Sequence, residues 1–417
     1  MYMETTLSDI ADGCKYGFVD GPFGSNLPSS CYKHKGIPVI RGCNLSIGKF
    51  RYIDQGYCFV DNIVLDKLSR STARKFDIIF TKKGTIGQIG IIPKNALYNL
   101  YLLSSNQMRL RVDISKADPY FVYYYLTQKN IIKKIIRDSE STGVPKTNLA
   151  YFRSFPIKLP ALSEQQAIAH ILGTLDDKIE LNRRQNATLE AMAQAIFKDW
   201  FVDFGPVHAK MEGRQPEGMS REIADLFPDR LDDEGKPEGW EWKTLDSILE
   251  LCYGKALKAS ERIPGKTPVY GSGGITGYHN QALVITPSII VGRKGTIGSL
   301  YIEHRPFYPI DTVVQVKSDY SIFFCYFILK QQKLKDMNTD AAVPGLNRNN
   351  VYRLVFSMPS NIVIEKFDAY IQNIYKKIYH NYSEISILIS LRDTLLPKLI
   401  SGELRVPDAE KMVADIV

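Results

Sequence analysis

The chain has 417 residues, 44% of them apolar, and a formal net charge of +8. That supports two cores of ordinary domain size with residues left for connectors, so a multidomain protein is expected. No apolar run reaches the roughly 18 residues that a membrane span needs, and Met1-Tyr2-Met3-Glu4-Thr5 lacks the basic and apolar regions of a signal peptide, so a cytoplasmic protein is expected.

In chain order, the first globular unit occupies residues 1–160. Short β-rich runs, Ile37-Pro38-Val39-Ile40, Asp77-Ile78-Ile79-Phe80 and Met108-Arg109-Leu110-Arg111-Val112, are separated by Gly, Asn and Lys clusters. One helix is expected over Tyr120 to Ile136, with Asp118 before it and Pro119 in its first turn. Asp118-Pro119-Tyr120-Phe121 falls one proline short of the Asp-Pro-Pro-Tyr loop of amino-methyltransferases, and no Gly-rich strand-turn-helix precedes it. The six cysteines, Cys14, Cys31, Cys43, Cys58, Cys252 and Cys325, include no Cys-x-x-Cys pair, and the six histidines are scattered, so no metal site is expected. With no phosphate-binding loop and no nucleophile-base arrangement either, the expectation is a chain that binds without reacting and carries no cofactor.

Ser163-Glu164-Gln165-Gln166 is a capping-box signature that predicts a helix N-terminus with Ser163 as N-cap. From Ile168 to Ile196, core positions recur in alternating steps of four and three, the seam of a coiled coil. At about 1.5 Å per residue this stretch spans about 42 Å. A spacer is therefore expected over residues 161–204 and a Gly-, Pro- and charge-rich linker over 205–239. A second globular unit (240–360) opens at Trp240-Glu241-Trp242, with Thr244-Leu245 echoing Thr6-Leu7 and a helix over Ile322 to Gln332. A second long helix (361–405) and a tail (406–417) complete the plan.

The second half repeats the first. Val144-Pro145, Asn148 and Leu159-Pro160 recur 199 residues later as Val343-Pro344, Asn347 and Met358-Pro359, and the same offset carries the first helical seam onto Phe367, Ile371, Ile374, Ile378, Asn381, Leu388 and Leu395. The expected fold is α+β (mixed α/β), with two globular units separated by two long helices packed as an antiparallel coiled coil, pseudo-twofold symmetric. A common linear target with a dyad is duplex DNA. Asn182 and Asn381 lie at the midpoints of their seams, so they are expected to face each other and fix the register. The charge is placed accordingly, +11 over residues 1–160 and +4 over 238–359 against −3 for Ser163 to Phe204, as suits phosphate-facing domains on a solvated spacer.

The sharpest short repeat is Lys82-Lys83-Gly84-Thr85-Ile86-Gly87 against Arg293-Lys294-Gly295-Thr296-Ile297-Gly298, offset by 211. Each copy joins two apolar strands and reads as a hairpin turn with two cations at its tip. Such a turn can enter a groove or clasp phosphates, its glycines letting backbone N–H groups approach an anion; equally, the glycines are explained by turn geometry alone. Further candidates for DNA contact are Arg41, Asn44, Asn106, Gln107, Lys146 and Asn148 in the first unit, and Ser272, Tyr278 and Asn347 in the second, because Arg, Asn and Gln can read base edges.

The closing Leu395-Leu396-Pro397-Lys398-Leu399-Ile400-Ser401-Gly402-Glu403-Leu404-Arg405-Val406, the central Phe197-Lys198-Asp199-Trp200-Phe201-Val202-Asp203-Phe204, Gly36-Ile37-Pro38-Val39-Ile40-Arg41-Gly42, Leu159-Pro160-Ala161-Leu162-Ser163-Glu164-Gln165-Gln166 and the two Gly-Thr-Ile-Gly copies together resemble the specificity subunit of type I restriction-modification systems. The resemblance covers essentially the whole chain. It implies two target-recognition domains, each reading half of a bipartite asymmetric site, with the helices as a ruler between them. It also implies two adenine methyltransferase subunits bringing S-adenosylmethionine and nuclease-translocase subunits bringing ATP, with Trp200 and Phe201 on the methyltransferase-docking surface. The other readings left open by the residues are a coiled-coil assembly scaffold whose ends bind protein, and a standalone restriction or methylation enzyme. Inserting a few residues near Asn182 is predicted to shift the recognised spacing and leave both half-sites intact; unchanged spacing in a map of methylated adenines would count against a ruler.

Overall fold

The computed structural model describes residues 2–13, 16–139, 143–337 and 345–414. Cys14, Val343 and Pro344, singled out above, lie outside the described residues. The chain divides into two compact units, Met1–Arg183 with Tyr382–Val417, and Arg184–Asn381. In chain order the first contains β1 (Met3–Thr6), β2 (Phe18–Asp20), β3 (Ile37–Ile40), β4 (Cys58–Val60), α1 (Asn62–Lys67), β5 (Thr72–Ala73), β6 (Ile78–Thr81), β7 (Ile89–Ile91), β8 (Tyr101–Leu103), β9 (Gln107–Leu110), α2 (Pro119–Thr127), α3 (Lys129–Arg137), α4 (Leu149–Arg153) and β10 (Pro156–Leu159). The long helix α5 (Leu162–Phe201) begins there and continues into the second unit. That unit holds α6 (Gly205–Met211), α7 (Arg221–Ala224), β11 (Glu241–Thr244), β12 (Glu250–Tyr253), β13 (Thr267–Gly271), β14 (Gly274–His279), β15 (Ser288–Gly292), β16 (Leu300–Glu303), β17 (Tyr308–Pro309), β18 (Val313–Lys317), α8 (Ile322–Gln331), α9 (Arg348–Tyr352) and β19 (Val355–Met358). A second long helix, α10 (Asn361–Ser401), returns the chain to the first unit, which ends in α11 (Val406–Ala414). Among the described residues no helix is long and apolar enough to cross a membrane.

Both domains follow one plan. The first strand of each pairs antiparallel with the last, β1 with β10 and β11 with β19, so each domain closes on itself. Strand order β2-β9-β6-β7 recurs as β12-β18-β15-β16, and β4-β3-β8-β5 recurs in shortened form as β14-β13-β17, with β3 and β8 parallel as are β13 and β17. The central strands are apolar throughout because each feeds two cores. Ile78 and Phe80 face the core shared with the helices while Ile79 faces a smaller cluster with Ile40, Tyr52 and Tyr101; Ile289 and Val291 against Ile290 repeat the alternation.

Within the first unit the N-terminal half of α5 packs on the C-terminal half of α10, through Ile168, Leu172, Leu175 and Ile179 with Ile385, Leu388 and Leu395. Within the second, Ala193 and Phe197 of α5 share a core with Phe367, Ile371 and Ile378 of α10. The two helices therefore pack antiparallel, and most of the expected seam positions are buried, with Leu189, Ile196 and Ile374 half-buried. Ser163 falls inside the first turn of α5 and is not its cap; the preceding residue Ala161 accepts the first helical N–H groups, and Gln165 ties the helix start down by donating to the Pro160 carbonyl and accepting from the Asp118 N–H. The single helix expected over Tyr120 to Ile136 is two, broken at an extended Gln128, which re-aims Ile132 and Ile135 of α3 onto the domain.

Asn182 and Asn381 are both buried, but they do not bond each other. Asn182 donates to Glu384 at 2.9 Å, and Asn381 donates to Asn186 at 2.8 Å and to Gln185 at 3.4 Å. The reason is the tilt of side chains toward a helix's N-terminus. In an antiparallel pair that tilt displaces each contact along the partner helix, so that Asn182 reaches Glu384 and Asn381 reaches Asn186, with Gln185 at the longer distance. The offset of 199 maps the first of these contacts onto the last.

The first domain is fastened to the helices by buried charge. Asp176 on α5 accepts from Arg392 Nη1 of α10 at 2.8 Å and from the Tyr124 hydroxyl of α2 at 2.8 Å, with Arg51 Nε at 4.0 Å. Arg51 also donates to Glu180 from two nitrogens, at 3.0 and 2.9 Å, and Arg392 Nη2 reaches the Gly48 carbonyl at 3.1 Å. Burial works against the Arg51 charge, but the hydrogen bonds it donates to Glu180 and the neighbouring carboxylates outweigh it and hold the guanidinium pKa above its ordinary value. In the second unit the offset places Tyr375 and Ala193 where the first has Asp176 and Arg392, and Tyr375 packs its ring on Phe323 at 4.6 Å.

Three expectations about the remaining segments are corrected. Residues 205–239 are not a loose linker: Val207, Met219, Ala224 and Phe227 are buried in the second unit's core, a few apolar residues hidden among Gly, Pro and charge. The tail is mostly helix, α11, with Ala409 and Val413 buried in the first unit. Trp200 and Phe201 do not form a docking surface; both are buried, Trp200 against Phe227 at 5.4 Å and Phe201 against Phe367 at 5.1 Å.

Trp200→Ala is therefore expected to lower the unfolding free energy by about 3–5 kcal/mol in denaturant titration, as for other large core aromatics; an unchanged midpoint with weakened subunit assembly would restore the docking role. Asp176→Ala removes the buried acceptor of Arg392 Nη1 and of the Tyr124 hydroxyl, while Arg51 keeps Glu180 and Arg392 keeps Asp393, and is expected to cost about 3–5 kcal/mol, read by the same titration.

Candidate nucleic-acid interface

The two Gly-Thr-Ile-Gly motifs are hairpin turns, one joining β6 to β7 and the other β15 to β16. All four of their glycines have φ between 65° and 100°, the left-handed region that L side chains rarely adopt. The second glycine of each turn is also where packed structure approaches. A Cβ at Gly87 would lie 3.1 Å from Ile136 of α3, and one at Gly298 would lie 2.5 Å from the backbone at Leu334. Thus the motif braces the turn from one side and leaves its tip, with Lys83, Gly84 and Thr85 or Lys294, Gly295 and Thr296, exposed.

Backbone hydrogen bonds assemble the same neighbourhood around each tip. In the first domain the Lys82 N–H donates to the Asn106 carbonyl at 2.8 Å, the Gly84 N–H to Pro145 at 3.0 Å and the Thr147 N–H to Lys82 at 2.8 Å, which brings the hairpin, exposed Asn106 and Lys146 together. In the second the Arg293 and Lys294 N–H groups both donate to the Thr312 carbonyl, and the Leu346 N–H donates to Arg293 at 2.9 Å.

Several of the polar candidates are committed to the fold. Asn44 is fully buried: its side-chain oxygen accepts from the Arg41 N–H, and its amide donates to the Ile53 and Gln55 carbonyls. Gln107 is buried against the Ser104 hydroxyl. Asn148 and Asn347 are the N-caps of α4 and α9, accepting from the Tyr151 and Asn349 N–H groups at 2.9 Å. Ser272 is tied to the second hairpin, its hydroxyl accepting from the Thr296 N–H and its carbonyl from the Ser299 and Tyr301 hydroxyls. These residue types bond backbone as readily as bases, and sequence alone does not say which they do. Arg41 is half-buried with Nη2 on the Gly56 carbonyl at 3.2 Å, whereas Tyr278 on β14 is exposed.

The two tips differ at one matched position. Asp20 on β2 lies opposite Met108, itself opposite Phe80; Tyr253 on β12 lies opposite Val314, itself opposite Val291. The register therefore equates Asp20 with Tyr253 and Lys82 with Arg293. Asp20 pairs with Lys82 at 3.2 Å. Tyr253 instead lies beneath two guanidinium groups, Arg293 at 4.9 Å and Arg348 at 5.3 Å from its ring centroid. Neither Tyr253 nor Arg348 stood out in the sequence, because their strand and helix meet the hairpin only in the folded domain.

The family model for the type I restriction modification DNA specificity domain matches residues 63–191 and 237–381. The chain is 27% identical to the type I restriction enzyme HindI specificity subunit of Haemophilus influenzae, covering 84% of this chain and 91% of the relative. It is equally 27% identical to the MjaIX specificity subunit of Methanocaldococcus jannaschii, covering 92% and 91%. Its fold is similar to the crystal structure of a type I restriction-modification S subunit from M. genitalium, with a TM-score of 0.54 at 18% identity over 96% of each chain. With the family model matched in both halves and one strand order repeated in both domains, the chain belongs to the type I restriction-modification DNA specificity family, whose role is DNA sequence specificity.

Proposed function

We propose that each of the two domains reads one half of a bipartite asymmetric DNA site through the face that carries its Gly-Thr-Ile-Gly hairpin. The observation that carries this reading is the repeated cationic tip, braced by the fold and exposed in both domains, with different chemistry around it in each. Lys82, Lys83 and Lys146, or Arg293 and Lys294, are suited to phosphates, which fix position without reading sequence. Arg41, Asn106 and Tyr278 are the remaining candidates for base contact. On this reading the chain binds DNA in the cytoplasm without reacting, and holds no cofactor of its own. Adenine methylation with S-adenosylmethionine belongs to methyltransferase partners, two in number, and ATP-driven cleavage to nuclease-translocase partners. The relatives' names, which make them specificity subunits of restriction enzymes, support that division of labour.

The test is duplex binding by the full chain with its methyltransferase partner across a salt series. Lys83→Ala and Lys294→Ala are each expected to weaken binding and to reduce the salt slope by about 1, the signature of one lost phosphate contact. Affinities and slopes equal to those of the unaltered protein for both variants would reject the hairpin tips as the DNA-facing surface.

A further inference from the structure

The cationic cluster around Tyr253 is not accounted for by packing alone. Tyr253 ends β12 with half of its surface exposed (51%). Arg293 leans over its ring from the hairpin and Arg348 from the first turn of α9, and Arg348 is also 5.7 Å from the ring of Tyr352. Among the described residues, the polar contacts of both guanidiniums are to carbonyls: Arg293 Nη1 to Asp311 at 3.1 Å and Arg348 Nη1 to Leu251 at a long 3.5 Å. Arg348 Nε is buried with no acceptor among the described residues. Two like charges are thus gathered over one ring and, among the described residues, paired with no carboxylate, an arrangement that costs free energy unless an anion completes it. The matched position of the first domain has the carboxylate that this one lacks, Asp20 on Lys82.

We propose that Arg293 and Arg348, spaced by Tyr253, form a phosphate clamp for the DNA backbone at the half-site read by the second domain, and that Asp20 makes the corresponding place in the first domain a weaker phosphate contact. The inference rests on the DNA-reading role proposed above and adds to it which residues hold the backbone and an inequality between the two domains. Guanidinium is suited to this because its planar fork presents two parallel N–H donors to phosphate oxygens. An aromatic ring beneath holds the fork in place without competing for those donors. The clamp contributes affinity and orientation, not base identity.

The experiment uses the full chain with its methyltransferase partner, and two duplexes: one with the adenine-methylated motif mapped in cells expressing the pair, and one with the motif scrambled. Arg348→Ala and Tyr253→Asp, the latter placing a carboxylate beside Arg293 as Asp20 stands beside Lys82, are expected to weaken binding several-fold on both duplexes and to lower the salt slope by about 1 each. Tyr253→Phe keeps the ring and is expected to match the unaltered protein. Asp20→Asn releases Lys82 and is expected to raise the slope. Thermal unfolding midpoints check that each variant is folded, and Arg348→Lys, which keeps the charge and loses the fork, is expected to retain the slope with reduced affinity. Unchanged slopes for Arg348→Ala and Tyr253→Asp, with the hairpin variants still impaired, would overturn the clamp and leave the DNA-reading role standing. Loss confined to the motif-bearing duplex with no change in slope would also overturn it, since that is base reading. Absence of salt-dependent duplex binding by the unaltered complex would remove the underlying role as well.

Discussion

The first unit depends on one buried carboxylate. Asp176 answers Arg392, Tyr124 and Arg51 at once, and so joins α5, α10, α2 and the loop after β3 in a region where an unpaired charge would be costly. Remove it and Arg392 Nη1 and the Tyr124 hydroxyl lose their buried acceptor. With it, the loop that carries Gly48 and Arg51 is held against the same two helices that organise the core. Such a network adds less to net stability than its bond count suggests, because the charges had to be stripped of water. What it supplies is a single acceptable arrangement.

The second unit reaches a similar fold by other means. Where the offset of 199 would place the charged network, it has Tyr375 and Ala193, and its long helices meet the domain through rings: Phe197, Trp200, Phe323, Phe327, Phe367 and Tyr375. Ring packing is non-directional and tolerant of salt, whereas the Asp176 network is directional. The same divergence reaches the candidate interface. Identical strand order and the same Gly-Thr-Ile-Gly turn present Lys82 neutralised by Asp20 on one domain and Arg293 stacked with Arg348 on Tyr253 on the other. A duplicated frame with differently dressed tips suits the proposed reading of an asymmetric site.

Much of the frame was legible because it rests on periodicity. Alternating steps of four and three marked the helix seam, and most of the residues so marked are buried. Strands β3, β6 and β9 fall on the runs read as strands. Legibility failed where one residue type serves two purposes. Asn44, Asn148 and Asn347 have the chemistry of base readers but satisfy backbone groups, and Trp200 and Phe201 have the chemistry of an interface but fill a core. The segment 205–239 reads as linker because its few buried apolar residues do not register against its glycines, prolines and charges.

The sequence by itself determined the repeat, the antiparallel helix pair with its polar midpoint and the two glycine-bounded cationic turns, because each is written in spacing along the chain. Only the tertiary structure decided which partners those groups take. Asn182 meets Glu384 and not Asn381 because Cβ atoms tilt along a helix, a displacement that no count of residues contains. Asp20 and Tyr253 occupy one position because two sheets share a register, although the offset between them matches neither of the two repeats. Contacts across strands depend on register and tilt, and these exist only once the chain has folded.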